Sequence, residues 1–119
     1  MKTRTMLIAL PLALLATPAV AEKWVTVTTP NADGYSFEVD KDSIRRGSDG
    51  LVYFTDRLHG LASADAVDCS DEVTYVLSED LANGEHHDYA DWRTTGADLG
   101  EYPDTFAEDE LKYVCANVR

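Results

Sequence analysis

The first 21 residues set both the size and the chemical surroundings of whatever folds after them. Lys2 and Arg4 give a positive start, Met6 to Ala16 is an apolar run, and Ala19-Val20-Ala21 is a small-x-small cleavage site. This is the pattern of a secretory signal peptide. Cleavage after Ala21 leaves residues 22–119, a chain of 98 residues. That length builds a single domain with one modest core and is too short for a dinucleotide-binding or barrel enzyme. The apolar run is too short to cross a bilayer, and nothing later is apolar enough to do so. No cysteine sits at the cleavage site, so a lipid anchor is not expected. The sequence predicts a soluble exported domain, periplasmic or extracellular.

Charge narrows the partners. The full chain carries 10 basic and 22 acidic residues, a formal net charge of -12, and removing Lys2 and Arg4 takes it to -14. Such a surface repels phosphate backbones and anionic lipid head groups, which argues against nucleic acid and against membrane insertion. The same balance occurs in proteins that stay soluble at high salt, where it implies no partner at all.

Cys69 and Cys115 are the only cysteines. Two thiols in one small exported domain are expected to pair. Neither belongs to a C-x-x-C motif or has a basic sequence neighbour that would activate it. The expectation is a structural disulfide worth roughly 4 kcal/mol for a loop of this length.

Period-two patterning runs through most of the exported part. Trp24 to Thr29 is rich in β-branched and aromatic residues, and Pro30-Asn31-Ala32-Asp33-Gly34 breaks it as a turn. Tyr35, Phe37 and Val39 alternate with polar residues as a half-buried strand. Gly47-Ser48-Asp49-Gly50 is a turn, followed by a strand over Leu51 to Leu58 with Val52 and Phe54 on one face. His59 to Ala66 reads as a loop and Ala66 to Cys69 as a short strand. Val73 to Ser78 forms another, with Val73, Tyr75 and Leu77 on one face. Asn83-Gly84 predicts a two-residue hairpin turn, with a partner strand over His86 to Thr94 and a loop over Thr95 to Pro103. The period then changes. Ala107, Leu111, Val114, Cys115 and Val118 share one helical face, Thr105 and Glu108 match a capping box, and Glu108, Asp109 and Glu110 suit the positive end of the helix dipole. The predicted fold is α+β: an antiparallel sheet of about five to six strands with one C-terminal helix packed on it, braced by the disulfide.

No catalytic constellation stands out. There is no G-x-S-x-G serine motif. His86 and His87 are adjacent on a predicted strand and point to opposite faces, and with His59 they show no H-x-H or H-x-x-x-H spacing, so no metal site is expected. Asp40 and Asp42, or Asp88 and Asp91, offer oxygen ligands for calcium but lie in no D-x-D-x-D-G loop. They read as a solvated acidic surface. Trp24 and Trp92 are expected in the core, and Arg45, Arg46 and Arg93 are expected to pair with carboxylates rather than with an anionic ligand. No catalytic residue, metal or cofactor is predicted.

Taken in order, Trp24-Val25, Tyr35, Val39-Asp40, Ser43-Ile44-Arg45-Arg46, Val52 with Phe54, Asp68-Cys69, Asp91-Trp92-Arg93, Pro103 with Thr105, Glu108, Leu111 and Val114-Cys115 resemble the surface-adhesin protein E family of small exported bacterial domains. The likeness covers nearly all of residues 22–119. It implies an antiparallel β fold with a C-terminal helix clamped by a Cys69–Cys115 disulfide, and a non-enzymatic binding function; the family's namesake is a dimeric adhesin of the outer membrane. The expected partner is therefore a protein, with a second copy of the chain among the readings. Tyr89, Trp92 and Arg93 are the candidate contact residues, because aromatic and arginine anchors tend to dominate interface energies. Two other functions remain open: an acidic inhibitor of a basic hydrolase such as lysozyme, steered by charge, and an envelope protein with a structural or stress role.

Overall fold

In the computed structural model the described residues are 22–28, 34–98 and 106–119. Residues 1–21, 29–33 and 99–105 lie outside them, and with them the expected signal peptide, most of the expected Pro30–Gly34 turn, and Pro103 and Thr105 of the predicted loop and capping box. The elements are β1 (Trp24–Thr26), β2 (Phe37–Asp40), β3 (Arg45–Arg46), β4 (Val52–Leu58), β5 (Leu61–Asp68), β6 (Val73–Asp80), β7 (His86–Asp88), β8 (Ala97–Asp98) and α1 (Phe106–Ala116). Short 3₁₀ turns occupy Lys41–Ser43 and Trp92–Thr94.

The eight strands form one antiparallel sheet in the order β1-β2-β4-β5-β6-β7. The two extra strands share lanes. β3 pairs with the start of β4 while β2 pairs with its end, and β8 pairs with the start of β6 while β7 pairs with its end. Eight strands thus make six lanes, in line with the sequence reading. The 3₁₀ turn between β2 and β3 is capped by Asp40, whose carboxylate accepts from the Lys23 and Asp42 N–H groups.

Register divides the sheet into two faces. Val52, Phe54, Asp56 and Leu58 of β4 stand opposite Val67, Asp65, Ser63 and Leu61 of β5 and point toward α1. Val52, Phe54 and Val67, with Val39, Ile44, Leu111 and Val114, form the core. Cys69, just past β5, is bonded to Cys115 in the last turns of α1, with Cα atoms 5.9 Å apart. The disulfide therefore fastens the helix to the end of the central strand. An 11-residue helix is about 16 Å long and 10 Å wide, whereas six lanes span about 24 Å. One helix covers part of this face and packs on β2 and β4.

Four expectations are corrected. The predicted loop from His59 is a two-residue turn, with His59 and Gly60 both at positive φ (53° and 77°), and β5 begins at Leu61. That is the pattern of the tightest hairpins, which let the pair of strands run on without interruption. At Asn83-Gly84 the loop has three residues: the Leu81 N–H donates to the Glu85 carbonyl, the Gly84 N–H donates to the Leu81 carbonyl, and Gly84 sits at φ +89°. This is a type I turn closed by a left-handed glycine. The predicted strand over His86 to Thr94 stops at Asp88, and Trp92–Thr94 coils as a 3₁₀ turn. The loop predicted from Thr95 contains β8. Beyond these, Ala64 pairs with Ser78 but Asp65 with Val76, so Leu77 is a bulge residue, and past it Glu79 rather than Ser78 takes the side of Val76.

Candidate functional site

Three carboxyl groups meet between α1 and the sheet. Asp56 and Asp65 occupy inward positions of β4 and β5, and Glu110 occupies the inward stripe of α1, one residue before Leu111. Their exposures are 2 %, 4 % and 4 %. One oxygen from each lies within 4.8 Å of the others. The tight β4–β5 turn creates this: it sets Asp56 opposite Ser63 and Phe54 opposite Asp65, so the two aspartates are diagonal neighbours with Ser63 between them. The Ser63 hydroxyl bonds to Asp56 and approaches Asp65 at 3.3 and 3.4 Å. Burial, then the charge of Asp56, holds the Asp65 carboxyl well above the usual aspartate range; burial, then a hydrogen bond with Asp56, does the same for Glu110. Among the described residues Oε2 of Glu110 has no hydrogen-bond partner.

The carboxyls line a cavity of about 400 Å³. Phe37, Leu58, Leu61, Val76 and Leu81 supply its apolar wall, and Glu79 lies at its polar side. Glu79 faces inward because the Leu77 bulge turns it there, opposite Ser63. The Thr74 hydroxyl, also on the wall, is a second buried polar atom without a partner among the described residues.

A different arrangement occupies the opposite, open face. Tyr53, Ala66 and Tyr75 are aligned across β4, β5 and β6. The small Ala66 leaves room between the two rings, and Trp92 packs edge-on against both, at 6.2 Å from Tyr53 and 5.6 Å from Tyr75. Gly96 lets the returning chain close on Tyr75: a Cβ there would strike the Tyr75 ring and Val73. The Arg93 guanidinium stacks on Trp92 at 4.3 Å and pairs with Asp49 at 3.1 Å. Asp49 also accepts from the Tyr53 hydroxyl at 2.5 Å, which lowers its pKa, and Arg45 lies 5.3 Å over the Tyr53 ring. Farther along the same face, Arg57 stacks on Trp24 at 4.1 Å and pairs with Glu38 at 2.7 Å.

The three predicted contact residues are therefore divided. Trp92 and Arg93 are together on the open face. Tyr89 follows β7, donates its N–H to the Leu77 carbonyl and its hydroxyl to Glu79, and belongs to the cavity side. Trp24 and Trp92 are half-buried on the open face rather than in the core between sheet and helix. Of the arginines expected to pair with carboxylates, Arg93 does so, Arg45 stacks on a tyrosine and Arg46 donates to the Gly50 carbonyl. His86 bridges Asp80 and Asp88 while His87 turns to Glu85, so the two histidines diverge as the strand geometry requires.

The buried carboxyl cluster was not among the expected sites. Its signal was nevertheless in the sequence: Asp56 continues the inward alternation of Val52 and Phe54, and Glu110 falls three residues from Ala107 and four from Val114, on the apolar stripe. An acid in such a position is buried if the pattern holds.

No protein family, curated protein or solved structure matches this chain.

What these groups can do follows from their geometry. The cavity combines apolar walls with converging acceptors, the usual character of a small-ligand site. The open face presents aromatic and guanidinium groups already locked in place, the character of a protein contact surface.

Proposed function

We propose that the chain is an exported, non-enzymatic binding module that recognises a protein partner through the Trp92–Arg93 platform. The observation that carries this reading is the immobilisation of Trp92 between Tyr53 and Tyr75 with Arg93 stacked on it. Side chains held before binding lose little entropy on binding, and tryptophan and arginine are the residues most often found as interface anchors. The Arg93 side chain is 62 % exposed, so its cation is available beside the ring. The leader-like first 21 residues and the disulfide favour export, and the resemblance to the surface-adhesin protein E family favours the same class of function. In a chain with net charge -12, a cationic–aromatic spot suits a partner with local acidic groups.

The test is capture on immobilised, oxidised protein at about 0.15 M salt, where the screening length is roughly 8 Å. The panel is a set of extracellular-matrix proteins, a second copy of the chain, and lysozyme for the inhibitor reading that the net charge suggests. Trp92→Ala and Arg93→Glu should abolish retention of the bound protein while far-UV circular dichroism is unchanged. Retention of basic proteins alone, at low salt alone and regardless of Trp92, contradicts the reading.

A further inference from the structure

The carboxyl-lined cavity has no part in the platform reading, and its chemistry is specific enough to name a ligand class. Three acids are buried with no lysine or arginine among the groups that line the space. Buried carboxylates without cations are costly. Two further observations point into the cavity: Oε2 of the almost fully buried Glu110 has no partner among the described residues, and neither does the Thr74 hydroxyl on the wall. Groups of this kind are satisfied by something that donates hydrogen bonds.

We propose that this cavity binds an organic primary ammonium, whose charged head is held by Asp56, Asp65 and Glu110 and whose apolar body lies against Phe37, Leu58, Leu61 and Val76. An ammonium has three N–H donors and no acceptor. Donating at about 2.8 Å in a tetrahedral fork, it places its three acceptors about 4.6 Å apart. One oxygen from each carboxyl lies no more than 4.8 Å from the other two, a limit that admits this spacing. A planar guanidinium needs paired, parallel acceptors, which three carboxyls converging on one point do not provide. A calcium ion takes six to eight oxygens and completes its shell with water, and here that water would face leucine, valine and phenylalanine. A volume of about 400 Å³ holds far more than an ion, and its apolar walls are matched by an alkyl or arylalkyl group.

The ionisable groups lining the cavity among the described residues are Asp56 on β4, Asp65 on β5, Glu79 and Asp80 on β6, and Glu110 on α1. All are acids. Burial raises the Asp65 and Glu110 carboxyls, so they keep protons to higher pH in the free protein. An entering ammonium displaces those protons, and binding strengthens as pH rises.

The experiment is isothermal titration of the full oxidised protein with n-hexylamine at pH 7.5, with 1-hexanol and calcium chloride as the comparison probes. The expected result is saturable one-to-one binding of hexylamine, at least about 10-fold tighter than hexanol, with net proton release seen as a buffer-dependent heat. Asp65→Asn and Glu110→Gln should each weaken hexylamine at least about 10-fold, with native circular dichroism. Val76→Trp, at a 39 % exposed wall position opposite Asp65, should block entry by filling the space. The proposal is overturned if hexanol binds as well as hexylamine, if calcium binds and excludes the amine, if the neutralised variants bind unchanged, or if hexylamine does not saturate at millimolar concentration. The cavity and the platform lie on opposite faces, so loss of one leaves the other measurable.

Discussion

The most informative side chains here are acids, and the question at each is which form the fold prefers. Burial raises the pKa of Asp65 and Glu110 above the unfolded values. The folded state then binds more protons than the unfolded one. The cluster's contribution to stability is fully present below the ordinary carboxylate range near pH 4 and is lost as pH rises through the raised folded pKa values. Glu110→Gln should therefore stabilise the ligand-free protein at pH 7 by on the order of 1 kcal/mol, and this gain should vanish as the pH approaches 4; thermal melts across that range measure it. His86 behaves in the same direction for a different reason. Hydrogen bonds that its ring donates to the Asp80 and Asp88 carboxylates favour its charged form and raise its pKa above 6.5. Its stabilising effect is present below pH 6.5 and fades as pH rises through the folded value. Proton NMR should show His86 titrating above the ordinary histidine value, and Asp80→Asn should return it toward 6.5. A His86 pKa unmoved by Asp80→Asn contradicts the bridge.

Turns and short elements decide where the functional groups go. The His59-Gly60 turn fixes the register that makes Asp56 and Asp65 diagonal neighbours, and the Leu77 bulge turns Glu79 inward. Gly96 lets the chain close on Tyr75 and hold Trp92. Gly96→Val should cost about 1–3 kcal/mol through overpacking and weaken the near-ultraviolet dichroism of Trp92; an unchanged signal contradicts the packing. These elements also explain what was legible beforehand. Val39, Val52, Phe54, Leu111 and Val114 announce the core by their periods, because burial of apolar area is a local pattern. The β5 strand was hidden because Leu61, Ala62, Ser63, Ala64 and Asp65 combine small residues with an inward acid, and period two in hydrophobicity disappears there. Trp92 and Arg93 were legible as anchors, but the support beneath them was hidden because it depends on a 3₁₀ turn and on the alignment of Tyr53 and Tyr75 across a central alanine, neither of which leaves a period in the sequence. The carboxyl cluster joins residues 54 positions apart, and only the inward positions of Asp56 and Glu110 hint at it.

At the scale of the whole molecule, one helix among the described residues covers part of a six-lane sheet, and the disulfide fixes that helix to the end of β5. Cys69→Ser with Cys115→Ser should lower stability by roughly 4 kcal/mol, read as a leftward shift of a urea transition, and should loosen the cavity more than the platform, because α1 supplies Glu110 to one and nothing to the other. The uncovered remainder of the inner face becomes the cavity, while the outer face is covered by Trp92 and its tyrosines. The central claim is that two faces of one sheet bind two different things. The most direct measurement pairs two variants in two assays: Trp92→Ala and Val76→Trp, each titrated with n-hexylamine and each presented with the captured protein partner. The account predicts that Trp92→Ala abolishes protein capture and leaves hexylamine binding intact, and that Val76→Trp does the reverse. A single variant that abolishes both in a folded protein, or neither variant changing either, contradicts it.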